Sequence, residues 1–205
     1  MTATDGETRN KLLKAARKEF IDKGYMNASL RSICKDAGVT TGALYFFFKD
    51  KDELFVEVVS KPLLAIRKAL SEHLEFEQRE YSKGYDEESS EGPDVEVSIE
   101  IVKIMFKYKE ECVLLLTKAA GSSLEFAKDS FIDRLEQSYR ITTDAIAEVR
   151  GCKKVDDYTL HYLTHMQVES FIYLLTHSKD IDEALKELPY IIKHMRGGWF
   201  AVMGM

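Results

Sequence analysis

No apolar run in this 205-residue sequence approaches the roughly 18 residues that a membrane span requires, so no membrane partner is expected. The opening Met1-Thr2-Ala3-Thr4-Asp5-Gly6-Glu7 lacks the basic and apolar regions of a signal peptide, and a cytoplasmic location is the expectation. Cysteine is scarce. Cys34, Cys112 and Cys152 are odd in number and far apart, which fits neither a disulfide framework nor a zinc finger and points to reduced, packed thiols. There is no Gly-rich phosphate loop, no G-x-S-x-G elbow, no C-x-x-C and no H-E-x-x-H. Carboxylates are abundant but lie in charge-mixed helical faces. The chain is therefore expected not to be an enzyme and to have no catalytic residue, cofactor or bound metal. No segment alternates convincingly as a strand and no internal repeat is visible, so the expected fold class is all-α.

What is present is an ordinary globular composition, 45% hydrophobic, on a chain long enough for a sizeable core. The net charge of -6 at first argues against nucleic acid. It hides an asymmetry, because residues 1–54 hold 10 basic and 8 acidic side chains while residues 55–205 hold 19 and 27. A slightly basic head on an acidic body concentrates attraction for phosphate at one end.

That head contains the most informative stretch, Ala37-Gly-Val-Thr-Thr-Gly-Ala-Leu-Tyr-Phe-Phe-Phe-Lys-Asp-Lys-Asp-Glu-Leu54. Gly38 can end one helix in the left-handed conformation, Val39 is an apolar plug, and Thr40 or Thr41 can cap the next helix. Stepping about 100° per residue puts Leu44, Phe47 and Phe48 on one face and Gly42, Tyr45, Phe46 and Lys49 on the other. A helix with a core face and an outward face that is small, then aromatic, then basic suits entry into a major groove, with Lys49 meeting phosphate.

The run GVTTGALYFFFKDKDELF closely resembles the signature of the tetracycline-repressor (TetR) family of bacterial regulators, over about residues 8–55. The resemblance implies a helix-turn-helix DNA-binding head over residues 1–54, joined to a helical ligand-binding and dimerisation bundle over residues 55–205. Its DNA-contact candidates are Ser29, Arg31, Thr40, Thr41, Gly42, Tyr45, Phe46, Lys49 and Lys51. Phe46 departs from the family pattern, where a polar residue such as His is frequent, and offers a ring that can touch a thymine methyl.

Along the chain, residues 7–23 read as a first helix stopped by Gly24, and Ser29 as the cap of a second, with Ser29 and Arg31 at its start where a phosphate would sit. Asp50 or Asp52 caps a fourth helix that runs beyond Pro62. Residues 84–93 are acidic and poor in large aliphatics and read as a flexible loop. Helices follow over 97–106 and 110–120, then from Ser122 or Ser123 to Gly151, from Asp156 or Asp157 to 177, and from Asp180 or Asp182 to the C-terminus.

In the bundle, the candidates for a small-molecule pocket are Met105, Cys112, Phe131, Tyr139, Tyr162, His165, Met166 and Glu169. His161, His165 and Glu169 are spaced by four and could line that pocket, pack structurally, or approach a metal, although two rings do not make a closed site. Leu174, Leu185, Leu188, Ile192, Met195 and Trp199 mark apolar faces wide enough to join two chains, beside Gly197 and Gly198. The expected function is a homodimeric transcriptional repressor, bound to double-stranded palindromic operator DNA and released by an unknown small-molecule effector. An all-helical interaction adaptor without ligand-controlled DNA binding is the alternative.

Overall fold

The computed structural model describes the backbone of residues 3–81 and 87–205, and there the 3.6-residue apolar period becomes helix with no strand. In chain order the described helices are α1 (Ala3–Asn27), α2 (Leu30–Ala37), α3 (Thr41–Phe47), α4 (Lys51–Tyr81), α5 (Glu87–Lys107), α6 (Lys109–Thr117), α7 (Ala127–Arg150), α8 (Asp157–His177) and α9 (Ile181–Met203).

Side-chain caps set the starts of α3, α4, α8 and α9. The Thr40 hydroxyl accepts the Ala43 amide at 3.2 Å, and Asp50, Asp156 and Asp180 accept the amides of Glu53, Thr159 and Glu183 at 2.8, 3.0 and 3.0 Å. Asp50 and Asp180 each begin an Asp-x-x-Glu capping box, in which Glu53 and Glu183 reach back to the amides of Lys49 and Lys179. Two expected starts differ. Ser29 occupies the cap position of α2, but its side chain makes no capping bond. Ser122 and Ser123 do not open α7, because the Ser122 hydroxyl turns to the Ala119 carbonyl and the Ser123 amide is held by Asp52. Residues 119–126 are spent on a turn, and the helix begins at Ala127.

The expected loop at 84–93 is corrected where it is described: residues 84–86 lie outside the described residues, and from Glu87 onward the backbone is helical. Val95 and Ile99 further along α5 pack on the core, and extending a helix from an anchored stretch costs far less than nucleating one. Composition alone cannot register that anchor. α4 likewise continues through Pro62.

The described chain separates into two compact units, one of Met1–Leu64 with Tyr108–Lys128 and one of Ala65–Lys107 with Asp129–Met205. In the first unit, Leu12, Ala16 and Phe20 of α1, Ile33 and Cys34 of α2, Leu44 of α3, and Leu54, Phe55 and Val59 of α4 are buried. Phe55 receives the rings of Phe20 and Tyr25 edge-on at 5.2 and 5.0 Å. α6 belongs to this unit through Cys112, Leu114 and Leu115. It is tied to α1 by the Tyr25 amide on the Lys118 carbonyl (3.0 Å), by Lys118 Nζ on the Ile21 carbonyl (2.9 Å), and by Arg17 on Glu110 and Glu111. Gly24, expected to stop the first helix, instead breaks α1 with φ 71° and the helix resumes to Asn27; a Cβ there would stand 3.4 Å from Lys118, so the break is also a point of close approach.

In the second unit, Val102, Leu174, Ala184, Leu188 and Ile192 form one core cluster, and Ile146, Ala147, Val155, Leu160 and Met203 another. This corrects the expected joining face between chains at Leu174, Leu188 and Ile192. Leu174, Leu188 and Ile192 are buried within the protomer, Leu185 packs on their cluster, and Trp199 meets Tyr139 edge-on at 5.4 Å. Met195 is half-buried on the same side of α9. An apolar stripe identifies the buried side of a helix without naming its neighbour, and here that neighbour is α5.

Leu188→Ala is therefore expected to cost about 2 to 5 kcal/mol of stability in denaturant titration. A second expectation concerns His73, whose Nε2 lies 3.5 Å from Asp94 Oδ1, itself paired with Arg196. Burial pushes this imidazole down to about 4 despite the carboxylate. An unfolded His protonates near pH 6.5, so between about 6.5 and 4 the unfolded chain holds a proton that the native one does not, and stability falls as pH drops. His73→Gln is expected to flatten the slope of unfolding free energy over that window by about one proton.

Candidate nucleic-acid interface

α3 is a short helix held by one face. Leu44 is fully buried and Phe48, just past its end, is 2% exposed, while Phe47 is half-buried. α1 and α2 lie against it. With the inward side occupied, Thr41, Gly42, Tyr45 and Phe46 face solvent, Tyr45 at 57% and Phe46 at 73% exposure. The Phe46 ring rests edge-on against Phe47 with centroids 4.9 Å apart, so it is braced on one side and open on the other.

The turn into α3 has the expected parts. Gly38 takes φ 68° and ψ 33°, and its amide and that of Val39 close on the last carbonyls of α2. The Thr40 hydroxyl is consumed as the α3 cap, which leaves Thr41 as the threonine whose side chain can reach outward.

Beside α3, Arg31 and Lys49 are exposed and form no ion pair with any described residue. Lys35, one turn beyond Arg31 on the same side of α2, is exposed in the same way; its spacing of four from Arg31 was the sequence signal for it. Ser29 is exposed, and because its side chain does not cap α2, the first amides of that helix are open to an anion. Glu19, absent from the sequence-derived set, positions this corner: its carboxylate accepts the Ser29 amide at 3.1 Å and the Ser32 hydroxyl at 2.9 Å. Burial raises the Glu19 carboxyl, but the bonds from Lys23, Ser29 and Ser32 outweigh it and hold the group below its ordinary value.

Lys51 is a correction. Its ammonium donates to the Met26 carbonyl at 3.2 Å and lies 4.5 Å from the centre of the Tyr25 ring, and burial lowers its pKa. It braces the end of α1 against the start of α4 and is not a free phosphate contact.

The pocket candidates do not converge. Cys112 is buried in the first unit, where burial pushes its thiol up to about 12. Met105 and Phe131 are buried in the second unit, and the Tyr139 hydroxyl there accepts from Gln167. Tyr162 and Met166 are 54% and 46% exposed and Glu169 is also exposed, on the side of α8 opposite Leu160 and Thr164. His165 is half-buried with its ring 4.4 Å from that of His161, and His161 Nδ1 meets Glu136 at 2.8 Å. Among the described residues no three His, Cys, Asp or Glu side chains are grouped to hold a metal ion.

Residues 12–58 match the family described as bacterial regulatory proteins, tetR family. Over 52 residues the chain is 48% identical to the HTH-type transcriptional regulator AcrR of Shigella flexneri, an alignment covering 25% of this chain and 24% of that protein. Over 133 residues it is 26% identical to an HTH-type transcriptional regulator of Staphylococcus aureus, covering 65% of each. The chain thus spans about a quarter to two-thirds of the length of these curated relatives. Among solved structures, it shares its fold with NalD, the secondary repressor of the MexAB-OprM multidrug efflux pump in Pseudomonas aeruginosa, at TM-score 0.59 and 21% identity, covering 94% of this chain and 95% of that one.

Lys49→Ala is expected to weaken binding to all DNA sequences and to lower the slope of log affinity against log salt by about one. Phe46→Ala is expected to relax preference at one or two positions only, read by competition between single-base operator variants.

Proposed function

We propose that this chain, whose residues 12–58 match the tetR family of bacterial regulatory proteins, is a TetR-family regulator that acts as a homodimeric, sequence-specific repressor of bacterial genes, released from a palindromic operator by a small-molecule ligand. The observation that carries the reading is the two-faced α3: Leu44 wholly buried, and Tyr45 and Phe46 held out to solvent beside the unpaired Arg31 and Lys49. Exposed rings on a rigid helix, flanked by cations, match what a base edge and its neighbouring phosphates require. The relatives named as regulators support control of transcription, and NalD, named as a repressor, supports the sign.

Reading a palindrome needs two heads related by a two-fold axis. The second unit offers a face for that pairing. On α8, Tyr158, Tyr162, Met166 and Tyr173 form an outward stripe, and on α9, Tyr190, His194, Gly197 and Ala201 form another. A Cβ on Gly197 would meet nothing within its own chain, so a partner backbone can approach closely there. These residues replace the buried set as the proposed joining face. Ligand control follows if an effector binds the DNA-incompetent arrangement more tightly, typically with about 1 to 3 kcal/mol of coupling.

The direct test is fluorescence anisotropy on DNA from upstream of the protein's own gene, competed with unrelated DNA across a salt series. The reading expects selective, steeply salt-dependent binding; equal competition by unrelated DNA would sink it. For the dimer, Tyr162→Glu is expected to sediment as a folded monomer at micromolar concentration with operator affinity reduced at least tenfold. A Tyr162→Glu dimer indistinguishable from wild type would remove this face from the proposal.

A further inference from the structure

Several Ser and Thr hydroxyls on the described helices close on their own backbone. Ser71, Thr117, Thr143, Thr164, Ser170 and Thr176 each donate to the carbonyl four residues earlier. Ser138 and Thr142 of α7 do not. They are 3% and 7% exposed, and neither hydroxyl oxygen has a hydrogen-bond partner among the described residues. Their spacing of four places them one above the other on a single face of α7, in the buried stripe that also carries Phe131, Leu135 and Ile146.

A buried hydroxyl without a partner destabilises a fold, and two on one stripe compound the cost. The cost is offset when a bound molecule supplies the partner. We infer that Ser138 and Thr142 are the polar contacts of a buried effector site, and that the effector is a neutral, mostly apolar small molecule carrying a hydrogen-bond acceptor such as a ketone or ester carbonyl. This rests on the ligand control proposed above and adds to it the site and the class of ligand.

Neutrality follows from the surroundings. The stripe carries no charge, and the nearest cations in sequence are committed elsewhere: Arg134 donates to the Ser71 hydroxyl at 2.8 Å, and Arg140 to the Val155 carbonyl and Asp157. An ion on this face would lose its hydration without a counter-charge, whereas an apolar body against Phe131, Leu135 and Ile146 would gain by leaving water. Two hydroxyls can both donate to one carbonyl oxygen, which has two lone pairs.

The experiment uses the full-length protein with Nile red, a neutral dye with a ring carbonyl, as the fluorescent reporter, displaced by decan-2-one, decanoate or decane. The ketone is expected to displace the dye at least tenfold more effectively than the carboxylate or the alkane. Ser138→Ala combined with Thr142→Val is expected to bind the ketone about tenfold more weakly, the loss of one to two hydrogen bonds. Its unliganded thermal midpoint is expected to equal or exceed that of the wild type, since two unmatched hydroxyls have been removed. Three outcomes overturn the inference: decane or decanoate competing as well as the ketone, unchanged ketone affinity in the double variant, or a lowered midpoint showing that the hydroxyls are held by a structural partner. Operator binding by the wild type is measured separately. Its presence with any of those three outcomes removes the effector site and leaves the DNA-binding reading intact, and its absence removes that reading instead.

Discussion

The face that α3 shows to solvent is determined by the face it buries. Leu44 and Phe48 are anchored in the core of the first unit, and on a seven-residue helix those two anchors leave no freedom of rotation about its axis. Tyr45 and Phe46, which follow Leu44 in sequence, are thereby directed outward, and the Thr40 cap determines where the helix begins. If Leu44 lost its burial, Phe48 would be the one fully packed anchor left beside α3, and the aromatic pair would lose its fixed orientation. A groove-reading surface needs that rigidity, because hydrogen bonds and methyl contacts at base edges are lost over displacements of an ångström.

The support under α3 is assembled from distant parts of the chain. α6 and the turn after it join the first unit through Lys118, Arg17 and Ser123, each contacting residues more than seventy positions away in sequence. Arg17 is held charged chiefly by its bond to Glu111, which raises its pKa further. Gly24 permits the close approach by taking a left-handed backbone angle that other residues adopt at a cost. The head is therefore a folded object whose stability draws on both ends of its sequence range.

What was legible in the sequence was what local chemistry decides. The caps narrowed to two nearby residues each, resolved as Thr40, Asp50, Asp156 and Asp180, the Gly38 stop and the two faces of α3 all follow from residues within one or two turns of each other, whereas α1 runs past Gly24 and α6 ends at Thr117, short of Gly121. What was not legible required knowing the neighbour. Lys51 reads as an exposed cation until the Met26 carbonyl and Tyr25 ring are seen beside it. Leu188 and Ile192 read as a wide apolar face, and nothing local says that α5 covers it. Cys112 and Met105 are seven residues apart in sequence yet belong to different units, so periodicity alone placed them in one pocket. The acidic composition before Val95 suggested a loop because the anchor that extends the α5 helix lies further along the chain.

The central claim is that the outward face of α3 reads DNA in pairs. Selecting random-sequence duplexes with the purified full-length protein, then sequencing the retained fraction, tests it most directly. Enrichment of an inverted repeat, with half-sites spaced for two heads on successive major grooves, is the predicted result. Retention without enrichment of any sequence, or enrichment of a single asymmetric site, would contradict it.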